Sequence, residues 1–223
     1  ARGRVYVADV SALVPEKLPA MASAFGGTPT APLLFVGGRP GTLARWPNAD
    51  YTSFTQAVDR GGLVKKNPGG SDTRTPGAFV YDNPRAARWN FDAGVWLNGY
   101  WTHDWDNHSV RAARYGAENG TNHVVRLAAP VPYGIMGGTW GRKERRFYAF
   151  NLLEELDAPG EWWLDRAKKL LYLYPPKGTP CAEDAVTLAF TAEPILRAVD
   201  VRHLRFERLA FEYGYGQGVS LSG

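Results

Sequence analysis

Between Trp96 and Asn107 the chain reads WLNGYWTHDWDN, which sets Trp96, Tyr100, Trp101 and Trp105 among His103, Asp104, Asp106 and Asn107. Sugars present apolar C–H faces and hydroxyl edges, so flat aromatics beside carboxylate and amide acceptors suit them chemically. Strand alternation divides this set. With the stretch fully extended, Trp101, His103 and Trp105 fall on one face and Tyr100, Thr102, Asp104 and Asp106 on the other. One of those faces must pack a core, and aromatics anchor cores often enough that Trp101 and Trp105 read first as interior. Trp96, Tyr100 and Trp140 read as the more exposed, because Gly99, Gly138 and Gly141 set them near turns. The candidate carbohydrate-binding set is Trp96, Tyr100, Trp101, Trp105, Trp140 and Asp104.

Other chemistries find less support. Asp104, Asp106 and Asn107 offer oxygens to calcium, but no loop glycine or bidentate glutamate completes a site, so no metal is expected. His103, His108, His123 and His203 lack paired ligand spacing on any helix, which argues against zinc. Glycoside hydrolysis needs two carboxyl groups about 5 to 9.5 Å apart across a bound sugar. Glu154, Glu155, Asp157, Glu161 and Asp165 are abundant, yet they flank turns and a hairpin that reads as solvent-facing, so turn formation and surface charge account for them. Asp200, Glu207 and Glu212 could edge a cleft only beside further chain. No Gly-x-Ser-x-Gly elbow or phosphate loop is present. No catalytic residue and no cofactor are therefore expected in this chain.

The elements that must position the aromatic stretch are short strands. The chain of 223 residues carries 25 Gly and 16 Pro scattered without a repeat, which gives many turns and favours strands over long helices. Hydrophobic residues make up 44% and aromatics 13%, enough to bury a core. The net charge of +4 comes from 26 basic and 22 acidic residues spread along the chain. The densest basic cluster, Arg142 to Arg146, is unaccompanied by a recognition helix or RNA-binding motif, so no nucleic-acid partner is expected. A single Cys181 excludes an internal disulfide. No run approaches the roughly 18 apolar residues of a membrane span. No signal peptide opens the sequence, and the expectation is an excised piece whose export signal has been lost.

The strongest local pattern is NLLEELDAPGEWWLDRAKKLLYLYPP, residues 151–176. Trp162 to Leu164 and Leu170 to Tyr174 read as the strands of a β-hairpin, with polar Asp165 to Lys169 between them. Pro175 and Pro176 end it, and Asp157-Ala158-Pro159-Gly160 forms a tight turn ahead of it. Everything before the hairpin is expected to be sheet that pairs with it. Arg4 to Asp9 alternates as a half-buried strand. Leu33 to Val36, Gly37-Gly38 and Arg39 to Arg45 predict a glycine-turn hairpin. Further strands are expected at Asn122 to Leu127, Phe147 to Asn151, Val186 to Ala189 and Ile195 to Val199. Residues 50–88 read as one long surface loop, with Phe79 to Tyr81 as a short strand inside it.

About ten short strands describe an all-β sandwich or jelly roll over residues 1–200. Residues 201–223 differ: Leu204, Phe206, Leu209, Phe211, Val219 and Leu221 are punctuated by glycines, like one rung of a parallel β-helix. A lone rung cannot bury both faces.

Four segments in order carry a resemblance: LLFVGGRPGTLARWPN, WLNGYWTHDWD, the FYAFNLLEELDAPGEWWLD hairpin region, and the coil from Val201 to Gly223. Together they resemble the inserted β-sandwich of bacterial right-handed parallel β-helix glycoside hydrolases, the group with α-L-fucosidase/xylanase and β-xylosidase families. The resemblance implies a sandwich that interrupts early β-helix coils, followed by the first re-entry coil, with the catalytic carboxylates on later coils. It implies a secreted parent, extracellular or periplasmic, whose partners are a plant-type polysaccharide or oligosaccharide and the remainder of the β-helix. The implied role is an accessory, non-catalytic domain that binds carbohydrate or shapes a cleft. A purely structural cap and a glycosidase active as given stand as alternatives.

Overall fold

The computed structural model describes residues 5–22, 24–25, 32–54, 56–64, 73–136, 145–176, 186–190, 193–214 and 218–223. Among them the regular structure is strand, apart from two single-turn 3-10 helices at Ala86–Arg88 and Leu153–Glu155. The chain is all-β, with several open sheets, consistent with a sandwich. No helix among the described residues is long and apolar enough to cross a membrane.

The largest sheet is antiparallel and runs Arg45–Trp46, Arg145–Phe150, Trp96–Tyr100, Asn107–Glu118, Thr121–Leu127, Ala78–Val80, Ala57–Asp59. Ala24–Phe25 and Thr52–Phe54 pair onto its flanks. Trp96–Tyr100 is bonded on both sides, to Asn107–Glu118 and to Arg145–Phe150. Gly99 makes that close pairing possible, since a Cβ there would sit 2.8 Å from the Cβ of Phe147. Gly99 therefore marks no turn but the gap beneath a phenylalanine.

Under one face of this sheet lie Leu97, Val110, Ala112, Val125 and Leu127, all at 0% exposure. Phe54, Phe79, Trp101 and Phe147 fill the space with ring centroids 4.2 to 6.2 Å apart. Tilted and offset rings at such spacings add about 0.5–1.5 kcal/mol per pair beyond the area they bury.

A second sheet orders Tyr6–Asp9, Leu170–Leu173, Glu161–Asp165 and Thr42–Leu43, the last joining in parallel. Its central hairpin is the one read from the sequence. The Oδ1 of Asp165 accepts the N–H groups of Ala167 and Lys168 at 3.1 and 2.9 Å, and Lys169 takes the left-handed conformation at φ 54°. Contrary to expectation the hairpin does not face solvent: Trp162, Trp163 and Leu164 are all buried. It also recruits only Tyr6–Asp9 and Thr42–Leu43, while most strands before it form the larger sheet. Leu33–Val36 and Arg39–Pro40 form a glycine hairpin, with Gly37 at φ 55° and Gly38 at φ 74°, but its second arm is shorter than expected because Thr42–Leu43 and Arg45–Trp46 pair in the other two sheets; Val186–Ala189 adds to its other edge.

Two further expectations change. Residues 50–88 are not a single loop: Thr52–Phe54, Ala57–Asp59, Gly62–Val64, Thr73–Thr75 and Ala78–Val80 are strands. Ala78–Val80 matches the short strand expected near Phe79, whereas Thr52–Phe54 carries one apolar anchor and pairs with Arg145–Phe147 far away in sequence, so no local pattern announces it. Asn107–Glu118 is a 12-residue strand where none was expected. In the last stretch Val219–Ser222 is a strand that pairs in parallel with Leu196–Val199, and Val201, Leu204, Phe206 and Leu209 are exposed.

The acidic residues near the hairpin are not all surface charge. Glu155 is fully buried and accepts hydrogen bonds from Arg85, from Arg88 at 3.3 Å and from the Trp89 indole at 2.8 Å. Arg85 in turn stacks 3.7 Å over the Trp46 ring. Glu161, 3% exposed, accepts the backbone N–H groups of Arg45, Asp157 and Ala158 at 3.3, 3.0 and 2.9 Å. Burial pushes its carboxyl above the usual range, and those backbone donors partly oppose the shift.

Glu155→Ala leaves the buried Trp89 indole without its acceptor, while Arg85 and Arg88 are exposed enough to be hydrated, so it should lose about 1–3 kcal/mol of stability. Lys168→Ala, which removes only an exposed pair with Asp165, should stay within about 0.5 kcal/mol. Urea unfolding of both variants checks this. Equal midpoints for the two would refute the role given to Glu155.

Candidate functional site

The strands Trp96–Tyr100 and Asn107–Glu118 are joined by residues 101–106, and Tyr100 faces Asn107 where the ladder closes. The connecting chain crosses the end of the sheet instead of continuing it, so strand alternation stops applying after Tyr100. Trp101 drops into the core at 1% exposure and donates from its indole to the backbone carbonyl of His108 at 2.9 Å. The Thr102 hydroxyl donates to the Gly134 carbonyl at 2.7 Å, and the Met136 N–H to the Trp101 carbonyl at 3.0 Å. These bonds hold the loop against residues 131–136.

Pinned in this way, the loop turns its remaining rings outward. Trp105 is 61% exposed and Tyr133 is 52% exposed. The His103 ring stacks on Trp105 at 5.0 Å and 7°, and Tyr133 meets both edge-on, at 5.0 Å from His103 and 5.3 Å from Trp105. Asp104 lies 3.6 Å from Nη1 of Arg145, whose buried side chain donates from Nε to the Met136 carbonyl at 3.0 Å. The result is an exposed aromatic cluster beside the Asp104 carboxylate, an arrangement able to stack on an apolar ring face and hydrogen-bond its edge.

Behind the rings sit Asp106 and His108. Asp106 is 1% exposed, and its Oδ1 has no hydrogen-bond partner; nor has Nδ1 of His108. Burial pushes the Asp106 carboxyl up, opposed by the charges of His108 and His103. Burial pulls the His108 imidazole down, opposed by Asp106. Among the described residues no cluster of three or more His, Cys, Asp or Glu side chains is placed to hold a metal ion.

The structure thus divides the aromatic set read from the sequence. Trp96 is 6% exposed and packs on Phe150 on the face opposite Trp101, so neither tryptophan belongs to an open platform. Tyr100 is half-buried on the same face as Trp96, beside Tyr51 and Arg146. Trp105 and Asp104 lie at the end loop, where Trp105, expected inside, is the exposed ring. Trp140 lies outside the described residues. Tyr133 was not singled out from sequence, although its setting in Val131-Pro132-Tyr133-Gly134 has the proline and glycine of a surface turn. Tyr51, Tyr148, Arg45 and Arg146 were also missed, because alternation brings them to one face only once the strand order is known.

No protein-family model matches the chain, and no curated protein matches it. A solved structure titled "Glycoside hydrolase" aligns with a TM-score of 0.52 and 17% identity over 88% of this chain. The alignment spans 31% of that structure's own length. At this identity the likeness is one of fold: the chain has a glycoside-hydrolase-like all-β architecture.

His108 carries a pH signature with a definite sign. Its folded pKa lies below the ordinary value of about 6.5, so its contribution to stability is present above that pH and lost as pH falls through the folded value. His108→Gln should therefore flatten the fall in thermal midpoint between pH 7.5 and 5.5. Parallel pH profiles for wild type and variant would contradict it.

Proposed function

We propose that this chain is an accessory, non-catalytic carbohydrate-contacting domain of a secreted glycoside hydrolase. The observation that carries the reading is the exposed Trp105–His103–Tyr133 cluster, held by hydrogen bonds in its own loop and backed by Asp104 and Arg145. Solvent-exposed aromatics fixed in this way lose little conformational entropy when a sugar ring stacks on them. The fold likeness to a glycoside hydrolase supports the same class of ligand. In this reading the sandwich extends to about Asp200 and residues 201–223 begin a right-handed parallel β-helix. The parallel pairing of Leu196–Val199 with Val219–Ser222 favours such a coil.

A second reading, a structural cap of the β-helix, draws on a different observation. Ile195, Val199, Val201, Leu204, Phe206 and Leu209 are exposed along the last stretch, as the open end of a solenoid requires before neighbouring coils cover it.

Affinity electrophoresis on xylan, β-glucan and fucosylated glycans separates the two. Carbohydrate contact predicts retardation by at least one of these polymers, weakened about tenfold, or about 1.4 kcal/mol, by Trp105→Ala with an unchanged thermal midpoint. Binding that survives both Trp105→Ala and Tyr133→Ala would remove the site assigned here. Absence of retardation would leave the cap as the better reading, and new reducing ends would overturn the non-catalytic assignment.

A further inference from the structure

The face of the large sheet opposite the Phe54–Trp101–Phe147 core carries a row of tyrosines capped by arginines. Tyr51 lies 5.8 Å from Tyr100 and 5.7 Å from Tyr148, so the three rings form a row. The Arg146 guanidinium sits 4.2 Å over Tyr100 and 5.4 Å from Tyr51. Arg45 sits 3.8 Å over Tyr148 at the other end. Strand register explains the grouping: Tyr148 faces Asn98 across the ladder, and Arg146, Tyr148 and Phe150 alternate onto one side.

Arg85, Arg126 and Arg145 each lie within 4 Å of a carboxylate: Glu155, Asp59 and Asp104 respectively. Arg45 and Arg146 have no such carboxylate among the described residues. Arg45 is held by backbone carbonyls alone, through Nε to Pro47 at 2.8 Å and Nη2 to Asp50 at 2.5 Å, which leaves Nη1 free. The Nε of Arg146 is buried with no hydrogen-bond partner. Withdrawing a guanidinium from water without a paired anion is costly, and a planar fork in that state is set up to take a carboxylate. Tyr51 is 37% exposed, so the row reaches solvent. Burial raises the Tyr51 and Tyr148 hydroxyls above their ordinary range, keeping them protonated as donors.

We propose that Tyr51, Tyr100 and Tyr148 with Arg45 and Arg146 form a binding surface for an acidic polysaccharide, the rings stacking on sugar faces and the arginines pairing with uronate carboxylates. The inference rests on the carbohydrate reading above and assigns it a second surface and a charge class. Two guanidiniums at opposite ends of an aromatic row offer two forks to carboxylates borne on successive sugars.

Two probes differing only in charge test it: polygalacturonate and its fully methyl-esterified form, with single-stranded oligothymidylate as a non-sugar polyanion. Binding of the full chain is measured by titration calorimetry at low and at moderate salt. Polygalacturonate should bind at least tenfold tighter than the ester and weaken with salt. Arg146→Gln and Arg45→Gln should each reduce its affinity about tenfold, with Arg146→Lys intermediate, since it keeps the charge and loses the fork. Trp105→Ala should leave polygalacturonate binding in place, so loss of the end-loop site and loss of this surface are told apart. Thermal midpoints report whether each variant folds, and should Arg146→Gln fail, discrimination between acid and ester by wild type together with Arg45→Gln decides. Equal affinity for acid and ester, no binding of either, or oligothymidylate binding as tight as polygalacturonate would overturn the proposal.

Discussion

Trp96–Tyr100 is hydrogen-bonded along both edges, and a strand so held can send neighbouring side chains only to opposite faces. Leu97 goes to the core and Gly99 leaves room there for Phe147, while Trp96, Asn98 and Tyr100 go to the other side. Both surfaces described above follow from this. The end loop exists because the chain must turn between Tyr100 and Asn107, and the tyrosine row exists because Arg145–Phe150 is paired in register beside it. Moving the register by one residue would put Tyr148 in the core and Phe147 in its place.

Charge is distributed around that strand in two distinct ways. Two buried carboxylates are satisfied, Glu155 by two arginines and an indole and Glu161 by three backbone N–H groups, whereas Asp106 keeps Oδ1 without a partner. These contacts tie the turn at residues 155–161 to Arg85–Trp89 and to Arg45, joining the hairpin to the large sheet. Arg45 and Arg146 are held by ring faces and, for Arg45, by backbone carbonyls, with no carboxylate within 4 Å among the described residues. Ring stacking satisfies the guanidinium plane and leaves its edge for hydrogen bonding.

Much of the fold was legible in the sequence where the pattern is local. The hairpin at residues 161–173 announced itself by two β-prone runs around a polar turn, and Gly37-Gly38 by its tolerance of positive φ. Thr52–Phe54 and Ala57–Asp59 did not, because a three-residue strand with one or two apolar anchors looks like a loop until its partner is known. For the same reason Glu155 passed for surface charge: its partners Arg85, Arg88 and Trp89 are more than sixty residues away.

Composition and local pattern set the class of structure and the stock of chemistry: an all-β chain, rich in turns, with aromatics concentrated between Trp96 and Trp105 beside acids and amides. Which of those aromatics face solvent was decided only by tertiary structure. Burial depends on what lies across the sheet and beyond its end, so Trp101 fills a core completed by Phe54, Phe79 and Phe147, while Trp105, four residues on, is turned outward with Tyr133. Composition supplies the rings and the guanidiniums, and long-range strand order brings Tyr51, Tyr100, Tyr148, Arg45 and Arg146 to one face.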